Sequence, residues 1–187
     1  MYDDIKDSVE ILNRGGLILY PTDTIWGIGC DATNAIAVNK IFSLKKRADN
    51  KSMLVLLDSI TRLTQYIQEI PEIAFELIEV ADKPLTIIYP GAKNLASNLI
   101  ADDGSIGIRL VKNTFCRELI LRFKKPIVST SANISGEKSP LVFSEISEVI
   151  KSGVDYIVKW NRLDETPRQS SSIIKIGKRG EIEILRK

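Results

Sequence analysis

Short apolar runs that alternate with amphipathic stretches govern what this chain can fold into. "GLILY" (16–20), "SMLVLLD" (52–58), "PLTIIYP" (84–90), "SIGIRLV" (105–111), "KPIVSTS" (125–131) and "VDYIVKW" (154–160) are too short for buried helices and read as strands. Between them lie helical stretches. Ile5, Val9 and Leu12 share one face of "IKDSVEILN", which stops at Gly15-Gly16. Ala37, Ile41 and Leu44 are in phase in 34–47, with Asn34 as its cap. Residues 60–67, 71–82, 113–123 and 143–153 also read as helices. The tail "SSIIKIGKRGEIEIL" reads as a hairpin turning near Gly180, which excludes an all-parallel sheet. The expectation is one α/β (α+β) domain over 1–187, with a twisted mixed β-sheet flanked by helices.

A length of 187 residues suits one domain, able to bury roughly 70% of its unfolded surface. Lys and Arg number 26 against 24 Asp and Glu, a net charge of +2 that argues against a dedicated polyanion binder. No apolar run approaches a membrane span, and the acidic, amphipathic start is unlike a secretion signal. Two distant cysteines, Cys30 and Cys116, make neither a disulfide framework nor a zinc knuckle. A reduced cytoplasmic setting is expected. There is no histidine, so Ser-His-Asp, Cys-His and imidazole-metal chemistry are excluded.

Three polar stretches follow apolar ones, where open α/β sheets place ligands. In "PTDTIWGIG" (21–29), Thr22, Asp23 and Thr24 offer short polar groups, Trp26 can wall a pocket, and Gly27 and Gly29 allow backbone to approach a ligand. A capped turn accounts for the same composition. In "SLKKRADNK" (43–51), basic residues complement a helix C-terminus. Lys45 and Arg47 can also converge as a phosphate clamp, with Lys51 as a third cation. In "PIVSTSANISG" (126–136), Ser129, Thr130, Ser131 and Asn133 form either a Ser/Thr-rich turn or a cradle for phosphate oxygens.

"PTDTIWGIG", "KKR", "PLTIIYPG", "IGIRL", "STSANISG" and "SSSIIKI" occur in this order across nearly the whole chain. In this the sequence resembles the YrdC-like family, the threonylcarbamoyl-AMP synthases, in their short single-domain form. The resemblance implies a deep, positively lined cavity. It implies that L-threonine, bicarbonate or CO2 and ATP are joined to threonylcarbamoyl-adenylate with release of pyrophosphate. A downstream transferase complex then modifies the adenosine beside the anticodon of ANN-decoding tRNAs. By the same resemblance, Lys45 and Arg47 match the family's K-x-R pair and Ser131 and Asn133 its S-x-N pair, around the triphosphate. Lys51, Ser139 and Arg186 match further ATP contacts. Thr24, Arg109, Ser129 and Ser171 match the threonine end. Mg²⁺ is expected to arrive on ATP and not through protein ligands. Ala48 replaces a usual proline, Leu56 an occasional histidine, and Lys175 an acid.

Two rival readings are an RNA-binding module, for double-stranded RNA or tRNA, and a non-catalytic nucleotide-binding regulator. Weak RNA binding is also compatible with the synthase reading, since basic cavities attract phosphate backbones. The aromatic content of 6% disfavours a dedicated RNA reader.

Overall fold

The computed structural model describes residues 1–46 and 53–187. The strands are β1 (Ile18–Tyr20), β2 (Gly27–Gly29), β3 (Leu54–Leu57), β4 (Leu85–Tyr89), β5 (Ile106–Leu110), β6 (Ile127–Ser131), β7 (Tyr156–Ile157), β8 (Ser172–Ile176) and β9 (Ile182–Arg186). They form one nine-stranded sheet in the order β7-β1-β2-β6-β3-β5-β4-β8-β9. The sheet is mixed: β1–β7, β3–β5 and β4–β8 run parallel, the other pairs antiparallel. The tail forms the expected hairpin, with a bulge at Ile173/Ile174.

Six α-helices flank the sheet among the described residues: α1 (Tyr2–Asn13), α2 (Ala35–Leu44), α3 (Leu63–Tyr66), α4 (Ile73–Val80), α5 (Thr114–Phe123) and α6 (Glu148–Ser152). α1 buries Ile5 and Leu12 as its spacing requires, and it packs on α5. Asn34 caps α2, its side-chain oxygen accepting from the amides of Ile36 and Ala37. Asn113 caps α5 by accepting from Cys116 N–H at 2.8 Å. These oxygens satisfy amides that have no partner inside the helix.

Three expectations change. Residues 143–153 are not one helix: a short 3-10 turn ends at Glu145, and α6 begins at Glu148. Between them the chain extends at Ile146, whose side chain is buried in the core. Residues 60–67 begin as a 3-10 turn over Ile60–Arg62 and only then become α3. Gly-Ile-Gly is a buried strand and not part of a turn, and of its two glycines only Gly27 reaches the cavity. A Cβ on Gly29 would lie 2.6 Å from the Tyr20 ring and 2.8 Å from the Val128 carbonyl oxygen. The glycine is there because an aromatic ring crosses over it.

Alternation along the strands separates two faces. Leu85, Ile87, Tyr89, Ile108 and Leu110 line a hollow beside Ile78 of α4. Thr86, Ile88, Gly107 and Ile173 line a different hollow on the other face. Register sets polar residues across that second face: Gly27 opposite Ser131, Leu54 opposite Ser129, Thr86 opposite Arg109 and Ile173, and Ile173 opposite Arg186.

Candidate active site

These positions, apart from Thr86, line a cavity of about 220 Å³. Seven residues expected at the site line it: Thr24, Arg109, Ser129, Ser131, Ser139, Ser171 and Arg186. They come from residues 24 to 186, so the sheet register gathers what the sequence scatters. Trp26, Gly27, Thr130 and Ser170 complete much of the wall. The Trp26 ring is braced by Phe143, with centroids 4.8 Å apart and planes at 54°.

The turn after β1 is held by its own hydroxyls. Thr22 Oγ1 accepts from Thr24 N–H at 3.0 Å and donates to the Ile25 carbonyl at 2.8 Å. It also lies 2.9 Å from Thr24 Oγ1. The threonine pair thus fixes the backbone and carries one hydroxyl to the cavity wall. At the opposite wall, Thr86 Oγ1 and Ser171 Oγ are 2.8 Å apart, and Arg186 Nε donates to the Ser171 carbonyl at 2.8 Å.

Lys45 and Asn133 lie beneath the lining. The buried Lys45 ammonium donates to the carbonyls of Ser131 and, at 2.5 Å, Asn133. The Asn133 amide donates to the carbonyls of Ile134 at 3.0 Å and Glu137 at 2.7 Å. Both side chains brace the segment that runs from Ser131, at the end of β6, towards Ser139. A buried ammonium needs such carbonyls, because losing water without them is costly. Arg47, Lys51 and Ala48 lie outside the described residues.

Two wider hollows adjoin the cavity. One, of about 480 Å³, shares Met53, Leu54 and Ile173 with it. Lys175 lies there, its ammonium 2.7 Å from Asp103. That contact, with a hydrogen bond from Ser105, holds the Asp103 carboxyl down to about 2. The acid-to-lysine departure therefore brings its own counter-charge. The other, of about 640 Å³, shares Ser170 and Arg186 and is also lined by Asp23, Lys83 and Arg168.

Among the described residues, the charged side chains that line the cavity are Arg109 and Arg186. Burial and then the charge of Arg109 lower the pKa of Arg186. Asp23 lies 3.1 Å from Arg109, with the two side chains only 9% and 3% exposed. Sequence reading left Asp23 without a role, because its partner is distant in the chain. Burial raises the pKa of both Cys30 and Cys116, which keeps the thiols protonated and unreactive. Among the described residues no cluster of acidic or thiol side chains fits a metal ion, and no helix is long and apolar enough to cross a membrane.

A family model for Sua5, YciO and YrdC proteins, described as "Telomere recombination", matches residues 10–187. A protein called threonylcarbamoyl-AMP synthase from Psychromonas ingrahamii is 33% identical over 152 residues, 80% of each chain. Its namesake from Pseudoalteromonas translucida is 30% identical over 157 residues, 82% of this chain and 84% of that protein. Among solved structures, P. abyssi Sua5 complexed with L-threonine superposes with a TM-score of 0.82 at 25% identity. It is matched over 92% of this chain but only 50% of its own length. E. coli YciO shares the fold, with a TM-score of 0.84 at 24% identity over 98% of this chain and 88% of that one.

Proposed function

We propose that this chain, which belongs to the Sua5/YciO/YrdC family, makes L-threonylcarbamoyl-adenylate by nucleotidyl transfer. The substrates are L-threonine, bicarbonate or CO2, and ATP. The observation that carries this reading is the convergence of Thr24, Arg109, Ser129, Ser131, Ser139, Ser171 and Arg186 on one cavity. The name shared by the bacterial relatives and the L-threonine bound to P. abyssi Sua5 support it.

In this reading the threonine amine adds to CO2 to give a carbamate. A carbamate oxygen attacks the α-phosphorus of ATP, and the bond to pyrophosphate breaks. Charge grows on phosphoryl and leaving-group oxygens, so fixed donors lower the barrier without reorganising. Arg109, Thr24, Ser129 and Ser171 hold the amino acid. Ser131, Ser139 and Arg186 meet the nucleotide, with Arg47 and Lys51 added from outside the described residues. Lys45 and Asn133 act through the loop they brace. A Mg²⁺ is expected only as the counter-ion of ATP.

The test supplies purified protein with ATP, bicarbonate and each amino acid in turn, with products identified by mass spectrometry. Threonine-dependent formation of the carbamoyl-adenylate and one equivalent of pyrophosphate is expected. Absence of threonine dependence would overturn the reading.

A further inference from the structure

Asp23 is the acid of "PTDT", and the turn does not need it. Thr22 already accepts the Thr24 amide and donates to the Ile25 carbonyl, the service an aspartate commonly performs in such a turn. Both Asp23 carboxylate oxygens are buried and accept no hydrogen bond among the described residues, and Arg109 Nε is buried without an acceptor. A buried carboxylate with no donor is costly unless a charge compensates it. The compensating charge is the Arg109 guanidinium at 3.1 Å, a pair whose geometry is that of an ion contact without a hydrogen bond.

Tyr20 and Cys116, both kept neutral, lie close to this pair, as does Arg186, which raises the positive charge beside Arg109, and Lys83 and Arg168 line the same hollow as Asp23. The Tyr20 hydroxyl donates to the Val128 carbonyl and the Cys116 thiol to the Pro21 carbonyl, so neither is turned to Asp23 as a donor. Among the described residues that line this hollow, Asp23 is an anion set among cations. It lines the neighbouring hollow, while Arg109 lines the cavity.

We propose that Asp23 is a positioning residue. Its carboxylate holds Arg109 by one terminal nitrogen, so that the rest of the guanidinium is presented to the carboxylate of the amino-acid substrate. This rests on the synthase reading and on Arg109 serving the threonine end. A guanidinium already fixed and only loosely bonded can take a second carboxylate without first losing a good hydrogen bond. Asp23 therefore tunes amino-acid affinity and not the chemistry at phosphorus.

The experiment compares wild type, Asp23→Asn, Arg109→Gln and the double variant. Calorimetry reads threonine binding, and steady-state kinetics read the threonine KM, the ATP KM and kcat. Asp23→Asn is expected to raise the threonine Kd and KM at least ~10-fold, with the ATP KM and kcat within ~3-fold, consistent with losing a charge-assisted contact. The double variant is expected to bind threonine no more weakly than Arg109→Gln alone, because the carboxylate acts only through the arginine. A general structural defect would instead move all constants together and add to the arginine change. Additive losses, or a threonine KM within 2-fold of wild type in Asp23→Asn, would overturn the proposal while leaving the synthase reading intact. Should Asp23→Asn fail to fold, the double variant, which leaves neither charge buried alone, carries the comparison with Arg109→Gln. A wild-type protein that binds no threonine overturns both readings.

Discussion

Asp4 shows how much one side chain can organise. It sits in the first turn of α1, yet its carboxylate accepts from the amides of Lys159 at 2.7 Å and Trp160 at 3.2 Å and from the Tyr156 hydroxyl at 2.9 Å. The first helix is thereby fastened to the segment that follows β7. Burial alone raises the carboxyl pKa, but these donors and the N-terminal ammonium together hold it below the ordinary 3.8. A lowered folded value means stabilisation that is complete above the unfolded pKa and is lost as pH falls through the folded one. Asp4→Ala is expected to cost about 1–3 kcal/mol at neutral pH, because two part-buried amides lose their acceptor. Urea denaturation should show the gap to wild type narrowing as pH falls below the ordinary carboxylate range. A gap that is constant with pH would mean that the carboxylate charge plays no part.

At the scale of elements, β2 and β6 decide the shape of the site. β6 gives Ser131 and Thr130 to β2 and Ser129, Val128 and Ile127 to β3, so it joins the two halves of the sheet. The two glycines of β2 face different demands. A Cβ on Gly29 meets the Tyr20 ring and the Val128 carbonyl, both well inside contact distance. A Cβ on Gly27 meets Ser129 Oγ at 3.1 Å, beside the cavity. Gly29→Ala should therefore destabilise the fold by about 1–3 kcal/mol, as overpacking does. Gly27→Ala should lose less stability and more threonine-dependent turnover. Paired denaturation and pyrophosphate-release measurements check this, and equal stability losses would contradict it. The strands other than β2 were legible from their apolar runs, and the cap Asn34 was legible in residue type and position. Gly-Ile-Gly was not legible as a strand, because glycine after a polar turn carries no apolar run, and the ring that requires Gly29, Tyr20, is seen only when β1 and β2 pair. Residues 143–153 misled because helical periodicity does not reveal that Ile146 is drawn into the core.

For the whole molecule, the fold class followed from the alternation of elements, and the order of motifs picked out seven residues that line one cavity, while the partnerships among them did not follow. Nothing near Arg109 in sequence points to Asp23, and nothing in K-x-R says that the Lys45 ammonium turns toward the carbonyls of Ser131 and Asn133. Those facts belong to the register. Its long-range pairs also govern assembly. The β8–β9 hairpin closes a short loop, whereas the amides of Tyr156 and Val158 donate to Leu17 and Leu19 across most of the chain. Closing long loops costs more entropy before contacts compensate it, which slows such pairing. In pulsed hydrogen exchange during refolding, the Tyr156 and Val158 amides should gain protection after those of the β8–β9 hairpin. Simultaneous protection would show that the sheet forms in one step.

The same pairing has a meaning on the ribosome. Leu17 N–H donates to the Asp155 carboxylate, a partner 138 residues further along. At about 5–20 residues per second, that partner emerges on the order of ten seconds later. For that interval the outer edge of β1 is an apolar strand with open amides and carbonyls, a template for any neighbouring nascent chain. A short first strand, only Ile18–Tyr20, limits how much of that template each nascent chain displays.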